Sequence, residues 1–118
     1  MATWLCMGRV ALGASMVVLP GTSRLWLGQD ARRPVSRMFA RMLGARDVAL
    51  GVGGYLALDD PPVAATWLRM AAAADAVDAA ATLLAARHLP KRGVLAVLAA
   101  AGGGAVAGFT LAQRAEAK

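Results

Sequence analysis

The residues of this sequence most able to do chemistry are charged side chains that stand inside long apolar stretches. Five of them, Arg9, Arg46, Asp47, Asp75 and Asp78, fall within three such stretches. Ionisable groups in apolar surroundings are costly, so each is expected to pair with another or to face a cavity. The chemistry open to them is ion pairing, passage of a proton or ion, or binding of a small polar ligand.

Helical spacing places these five residues at one level. At 1.5 Å per residue, Arg9 lies about 16 Å from Pro20, and Arg46 and Asp47 lie about 18 to 20 Å from Pro34. Asp75 and Asp78 lie about 18 and 14 Å from Arg87. The sequence therefore predicts that charges from three helices meet near mid-height.

The predicted arrangement is an interhelical network in which Arg9 and Arg46 bridge the three aspartates. Arginine suits this role because it stays charged and offers five donors in a planar fork. With Arg69 added, the apolar stretches hold three arginines and three aspartates, a sum of zero. Internal neutrality favours a structural network that fixes helix packing. A proton or ion pathway, or a polar pocket, stays open as the functional interpretation.

The elements that must position these charges are four apolar segments, at about 3–19, 36–58, 63–86 and 93–113. The 118 residues are 58% hydrophobic and 17% charged, with 29 alanines, which suits one domain and excludes a disordered tail. The segments are rich in Ala, Leu and Met and lack strand-like alternation, so each is predicted to be helical. Asp60 before Pro61 is a typical helix start.

Segment length favours a membrane over a soluble helical bundle. About 20 helical residues cross the roughly 30 Å of hydrocarbon, and 93–113 is uncharged over its whole length. A soluble four-helix bundle needs a polar face on each helix, whereas these segments are apolar nearly all round. We therefore expect an all-α, four-helix transmembrane bundle, with residues 1–118 as a single integral membrane domain whose partner is the lipid bilayer.

The distribution of basic residues predicts the orientation. Eight lysines and arginines lie in or beside the first and third connections, two lie near the C-terminus, and the second connection has only Asp59 and Asp60. The positive-inside rule then places both basic connections in the cytoplasm and both termini outside a bacterial cytoplasmic membrane. The first segment is expected to stay as a helix, because no basic region precedes it and Arg9 interrupts it.

Other candidate residues point to packing and not to catalysis. Small residues at spacing four allow close helix contacts, and they leave a homo-oligomer or a larger membrane complex open. They are Ala49, Gly53 and Ala57, with Ala100, Gly104 and Gly108.

Cys6 and His88 have no ligating partner at a suitable spacing, so no metal or cofactor is expected. No basic stripe is interleaved with aromatic residues, which argues against nucleic-acid binding.

Four short runs carry a resemblance to a known group of proteins. They are Gly8-Arg9, then Arg24-Leu25-Trp26-Leu27-Gly28, then Gly44-Ala45-Arg46-Asp47-Val48-Ala49-Leu50-Gly51, and Asp75 with Asp78. Over nearly its whole length the chain resembles small bacterial four-helix membrane proteins of unknown function, which are loosely similar in architecture to the DoxX-like proteins. The resemblance implies a four-helix integral membrane protein and brings no catalytic residues.

These observations predict a non-enzymatic membrane protein, a structural or accessory subunit held together by buried ion pairs. The alternative is a minimal proton-coupled carrier or permease that uses the intramembrane carboxylates. A redox accessory protein of the DoxX-like kind is a third interpretation, and a bound quinone or haem would be its signature.

Overall fold

The computed structural model describes residues 1–117, and within that range the chain is helical and contains no strand. Lys118, one of the two C-terminal cations counted above, lies outside the described residues. Three single turns of 3-10 helix, at Pro20–Ser23, Gly28–Arg32 and Ala86–His88, accompany the α-helices. The α-helices are α1 (Ala2–Val18), α2 (Arg24–Leu27), α3 (Pro34–Leu56), α4 (Pro61–Ala85) and α5 (Lys91–Glu116).

The four long helices lie where the apolar segments predict them, with shifted ends. α3 and α4 each begin two residues earlier than predicted, because Pro34 and Pro61 occupy the first helical position, where a proline costs no hydrogen bond. The carboxylate of Asp60 accepts a hydrogen bond from the backbone N–H of Val63 at 3.3 Å and caps α4. α5 ends at Glu116, three residues beyond the predicted segment.

The connection between α1 and α3 is helical, which the sequence did not predict. The stretch Pro20–Arg32 bends by 106° from α1, so it runs across one end of the molecule. The hydroxyl of Ser23 donates to the carbonyl of Pro20 at 2.7 Å, and its side chain is buried. Gly28 ends α2 at φ 60° and ψ −132°, a conformation that only glycine adopts readily.

Glycines let α1 and α3 pack as an antiparallel pair with their backbones in contact. A Cβ placed on Gly44 would lie 2.5 Å from the carbonyl oxygen of Gly13 and 2.9 Å from the Cβ of Met16. A Cβ on Gly51 would lie 2.7 Å from the carbonyl oxygen of Cys6. Two separate glycine contacts along the pair therefore hold the helices at a distance that no larger residue permits.

The remaining long helices form a second antiparallel pair, which meets the first through α3. In α5, a Cβ on Gly108 would lie 2.9 Å from the Cβ of Ala72 in α4. Between the pairs, the indole of Trp67 lies on Gly53, whose added Cβ would stand 2.5 Å from the ring. Of the predicted small-residue positions, Gly53, Gly104 and Gly108 make helix contacts, whereas Ala49 and Ala100 are exposed.

The distribution of side-chain size is the reverse of that in a soluble domain. Among the described residues, Met16 and Leu68 are the only large aliphatic side chains that are buried, and alanine supplies most of the remaining core. Large apolar residues lie outside, for example Trp4 at 79%, Leu84 at 87% and Val106 at 70% exposure. Exposed apolar surface on this scale indicates an apolar partner or surrounding.

Among the described residues, α5 is the one helix that is both long and apolar enough to cross a membrane. α1 taken with the bent stretch Pro20–Arg32 would be a second. α1 alone has 17 residues, and α3 and α4 carry at least three charged residues in every stretch of 18. Length and composition alone therefore do not identify these three helices as spans.

The substitution Gly44→Ala tests the close approach of α1 and α3. Its methyl group meets the backbone of Gly13 and the Cβ of Met16, and neither can rotate away, so we expect a loss of about 1–3 kcal/mol in stability. Thermal unfolding followed by circular dichroism measures the change.

Gly103→Ala is the matched control, because a Cβ at Gly103 has nothing within 4 Å. It should leave stability unchanged or raise it by up to about 1 kcal/mol through helix propensity. Equal stability of the two variants would contradict the packing described for Gly44.

Candidate functional site

The structure places the five sequence-predicted charged residues side by side, and we refer to them as the ion-pair cluster. Arg9 comes from α1, Arg46 and Asp47 from α3, and Asp75 and Asp78 from α4. The contacts form an alternating chain in the order Asp75, Arg9, Asp47, Arg46, Asp78. Three of the four ion pairs join different helices, near the middle of their length, and the fourth, between Arg46 and Asp47, lies within α3.

Arg9 is the most buried cation of the ion-pair cluster, with 11% of its side chain exposed. Its Nη1 donates to Oδ1 of Asp47 at 2.9 Å, and its Nη2 donates to Oδ2 of Asp75. These two carboxylates are 11% and 10% exposed. The planar fork of a guanidinium can reach two acceptors on different helices at once, which an ammonium group does less well.

Arg46 makes the second bridge, at the more exposed side of the ion-pair cluster. Its Nη1 and Nη2 donate to the two carboxylate oxygens of Asp78 at 3.0 and 2.6 Å, a bidentate pair. Its Nη2 also donates to Oδ1 of Asp47 at 3.1 Å. Arg46 and Asp78 are 31% and 28% exposed, so this part of the cluster is only partly enclosed.

α5 contributes space and no charge to the ion-pair cluster. A Cβ placed on Gly104 would collide with the carboxylate of Asp75, so the absence of a side chain in α5 makes room for that carboxylate. The sequence pattern predicted only helix packing for Gly104. Its position against Asp75 follows from the rotation of α5 about its axis, for which the sequence holds no signal.

The charges of the ion-pair cluster do not cancel, although the interiors of the apolar segments as a whole hold equal numbers of arginines and aspartates. Arg69 is about two and a half turns away from Asp78 along α4. It pairs with Glu116 at the end of α5, where the two side chains are 46% and 44% exposed. The cluster itself therefore holds two guanidinium groups and three carboxylates. The sequence pattern did not indicate Glu116, because this residue follows the predicted end of the fourth segment.

Thr82, which shares a helix face with Asp75 and Asp78, takes no part in the cluster. Its hydroxyl donates to the carbonyl oxygen of Asp78 one turn earlier, at 2.7 Å. Cys6 lies one turn before Arg9, is buried and is not in a disulfide. Within residues 1–117, no group of three or more His, Cys, Asp or Glu side chains has an arrangement that could hold a metal ion.

No protein-family model, curated protein or solved structure matches this chain. The resemblance to small four-helix membrane proteins stays a prediction.

Removal of Arg9 tests how much the helices depend on the ion-pair cluster. Arg9→Leu leaves Asp75 buried without a guanidinium and Asp47 with Arg46 alone, so we expect a loss of about 3–5 kcal/mol in the free energy of unfolding. Adding Asp75→Ala should recover part of that loss, because the unpaired carboxylate is removed. Unfolding of the purified chain by a denaturing detergent measures both variants.

Arg69→Leu is the control, because it removes the same charge from an exposed pair and should cost at most about 1 kcal/mol. If Arg9→Leu and Arg69→Leu had the same effect, the ion-pair cluster would have no special part in holding the helices together.

Proposed function

We propose that this chain is a four-span integral membrane protein of a bacterial cytoplasmic membrane, with its large apolar side chains facing lipid. The observation that carries the proposal is the inverted distribution of side chains. Alanine, glycine and the ion-pair cluster lie inside, while residues such as Trp4, Leu84 and Val106 lie outside. Small residues at helix contacts and polar groups in the interior are typical of helices packed in lipid.

Ion pairing accounts for charged residues in α1, α3 and α4. An unpaired charge at the middle of a bilayer is costly, and that cost falls when the charge is paired within the protein. The charges at mid-height of these helices are all members of the ion-pair cluster, and Arg69 lies toward an end, where its long side chain can reach the interface. The three helices then present apolar surfaces to lipid as α5 does.

The proposed role is that of a non-enzymatic structural or accessory subunit. Each guanidinium of the ion-pair cluster joins different helices, which is the arrangement expected of groups that fix helix packing. Two surface cavities, of about 360 and 690 Å³, are lined by other residues, mostly apolar. A stable bundle with a lipid-facing surface suits assembly into a homo-oligomer or a larger membrane complex.

A proton-coupled carrier is the second candidate, favoured by the excess carboxylate of the ion-pair cluster. Asp75 has Arg9 as its guanidinium partner and lies against the backbone of Gly104. A surplus negative charge in a low-dielectric interior is costly, and uptake of a proton removes that cost. A proton taken up and released by Asp75 during a cycle would serve transport.

The proposed orientation is tested by labelling single cysteines in membrane vesicles. In a Cys6→Ser background, Gln29→Cys lies at the end that carries the basic connections and Asp59→Cys at the opposite end. A membrane-impermeant maleimide should label the Asp59→Cys variant in right-side-out vesicles and the Gln29→Cys variant only in inverted vesicles. The reverse pattern contradicts the orientation, and release of the chain by alkaline carbonate contradicts membrane insertion.

Asp75→Asn separates the structural role from transport. The amide keeps an acceptor for Arg9 and removes the surplus charge, and Glu116→Gln is the matched control outside the cluster. For a structural subunit we expect no proton flux above protein-free liposomes in the unchanged chain, and altered stability or loss of a co-purifying complex in Asp75→Asn. Flux that Asp75→Asn abolishes in a folded protein, while Glu116→Gln retains it, would establish the carrier instead.

A further inference from the structure

One end of the molecule gathers most of its positive charge. Between Val18 and Arg41, and between Ala85 and Arg92, the sequence has eight arginines and lysines and a single acidic residue, Asp30. All eight side chains are exposed. We call this surface the basic platform; it consists of Arg24, Arg32, Arg33, Arg37, Arg41, Arg87, Lys91 and Arg92.

The fold joins two connections that are distant in sequence into this one surface. Gly93, at the start of α5, lies against the backbone of Trp26 in α2, and a Cβ on Gly93 would stand 2.9 Å from the carbonyl oxygen of Leu25. A Cβ on Gly28 would stand 2.9 Å from the ring of Pro90. These contacts hold the stretch Pro20–Arg32 across the beginning of α5.

The charge of the basic platform is largely uncompensated from within the chain. Arg33 forms an ion pair with Asp30 at 3.5 Å, and the other acidic residues lie in the ion-pair cluster or toward the opposite end. Arg41 donates to the carbonyl of Val17 at 3.4 Å, a contact that leaves its charge in place. Like charges assembled on one surface attract anions from outside the protein.

Two helix beginnings at the basic platform add unpaired backbone donors. α3 begins at Pro34 and α5 at Lys91, and neither has a side-chain cap. At the opposite end, Asp60 caps α4 with its own carboxylate. The free N–H groups of a helix's first turn favour an anion, here beside exposed guanidinium groups.

Exposed apolar residues lie among the cations. Leu19, which joins α1 to the stretch that crosses this end, and Leu25, on that stretch, are 62% and 75% exposed, and Leu25 directly follows Arg24. A surface that alternates cations with exposed leucines matches the boundary between phospholipid headgroups and acyl chains. A free anion in water would gain nothing from the leucines, so a lipid is the ligand that fits both features.

We propose that the basic platform is a docking surface for anionic phospholipid headgroups, in which guanidinium groups and the free N–H groups of α3 and α5 bind headgroup phosphates. This inference rests on the proposed membrane location. It goes beyond the proposed orientation by naming a class of ligand. The positive-inside rule alone requires no preference for one lipid over another at this surface. The leucines lie in the interface beneath the headgroups.

The test is competition between an anionic and a zwitterionic phospholipid that differ only in their headgroups. The full chain, purified in a neutral detergent, is mixed with equal amounts of phosphatidylglycerol and phosphatidylcholine of the same acyl chains, and bound lipids are counted by native mass spectrometry. We expect preferential retention of phosphatidylglycerol, which falls about tenfold in the double variant Arg24→Gln/Arg92→Gln. Added salt should lower the preference in the unchanged chain by screening.

Arg69→Gln/Arg114→Gln is the matched control, because it removes the same two charges at the opposite end. It should keep the preference of the unchanged chain. Arg87→Gln/Lys91→Gln is a second platform pair, expected to weaken the preference as well, should the first pair fail to fold. Equal retention of both lipids, equal loss in the control pair, or displacement of phosphatidylglycerol by millimolar inorganic phosphate would overturn the proposal.

Carbonate extraction of the same variants reports on membrane insertion separately. A chain that stays in the membrane but shows no headgroup preference would contradict the basic platform's role and leave the proposed membrane location intact.

Discussion

The bridge that Arg9 makes between Asp47 and Asp75 is the interaction on which the arrangement of the long helices depends. This bridge joins α1 to both α3 and α4. It lies near the middle of the helices, within their apolar segments. The small size of the residues near this bridge is explained by the close helix contacts that it requires. Gly13, Gly44 and Gly51 let α1 lie directly on α3, and Gly104 leaves room for the carboxylate that Arg9 holds. Breaking such a buried bridge costs more than the intact bridge contributes in net stability, because the charge left behind has no partner in an apolar interior.

The ion-pair cluster is related to the unusual placing of small side chains inside and large apolar side chains outside. Helices whose contacts consist of alanine and glycine gain little from hydrophobic burial, so close backbone contact and interior polar groups must hold them together. The large apolar residues then lie on the outside, where the proposed membrane location would place them against lipid. The surplus carboxylate of the cluster is the one feature that a purely structural role does not require, and it is the physical basis for considering proton transfer at Asp75.

The two ends of the molecule differ in charge and in the capping of one helix. α3 and α5 begin among arginines without a side-chain cap, whereas at the opposite end α1 begins uncapped and Asp60 caps α4. This asymmetry of charge links the proposed orientation in a membrane with the proposed lipid contact, since the same cations that favour the cytoplasmic side also attract anionic headgroups. The bent stretch Pro20–Arg32 gives that end a broad surface.

The sequence by itself determined the four long helices and the five charged residues of the ion-pair cluster, because apolar length, proline starts and helical rise are local properties. It did not determine the helical form of Pro20–Arg32, since short turns there depend on packing of α2 against α5. Tertiary structure alone decided which arginine meets which aspartate. Arg69, which balances the charge sum of the apolar segments, pairs with Glu116 at the end of the longer α5, so the cluster keeps one carboxylate in excess. Which charges pair depends on the relative rotation and register of the helices. A count of charged residues along the sequence does not give that geometry.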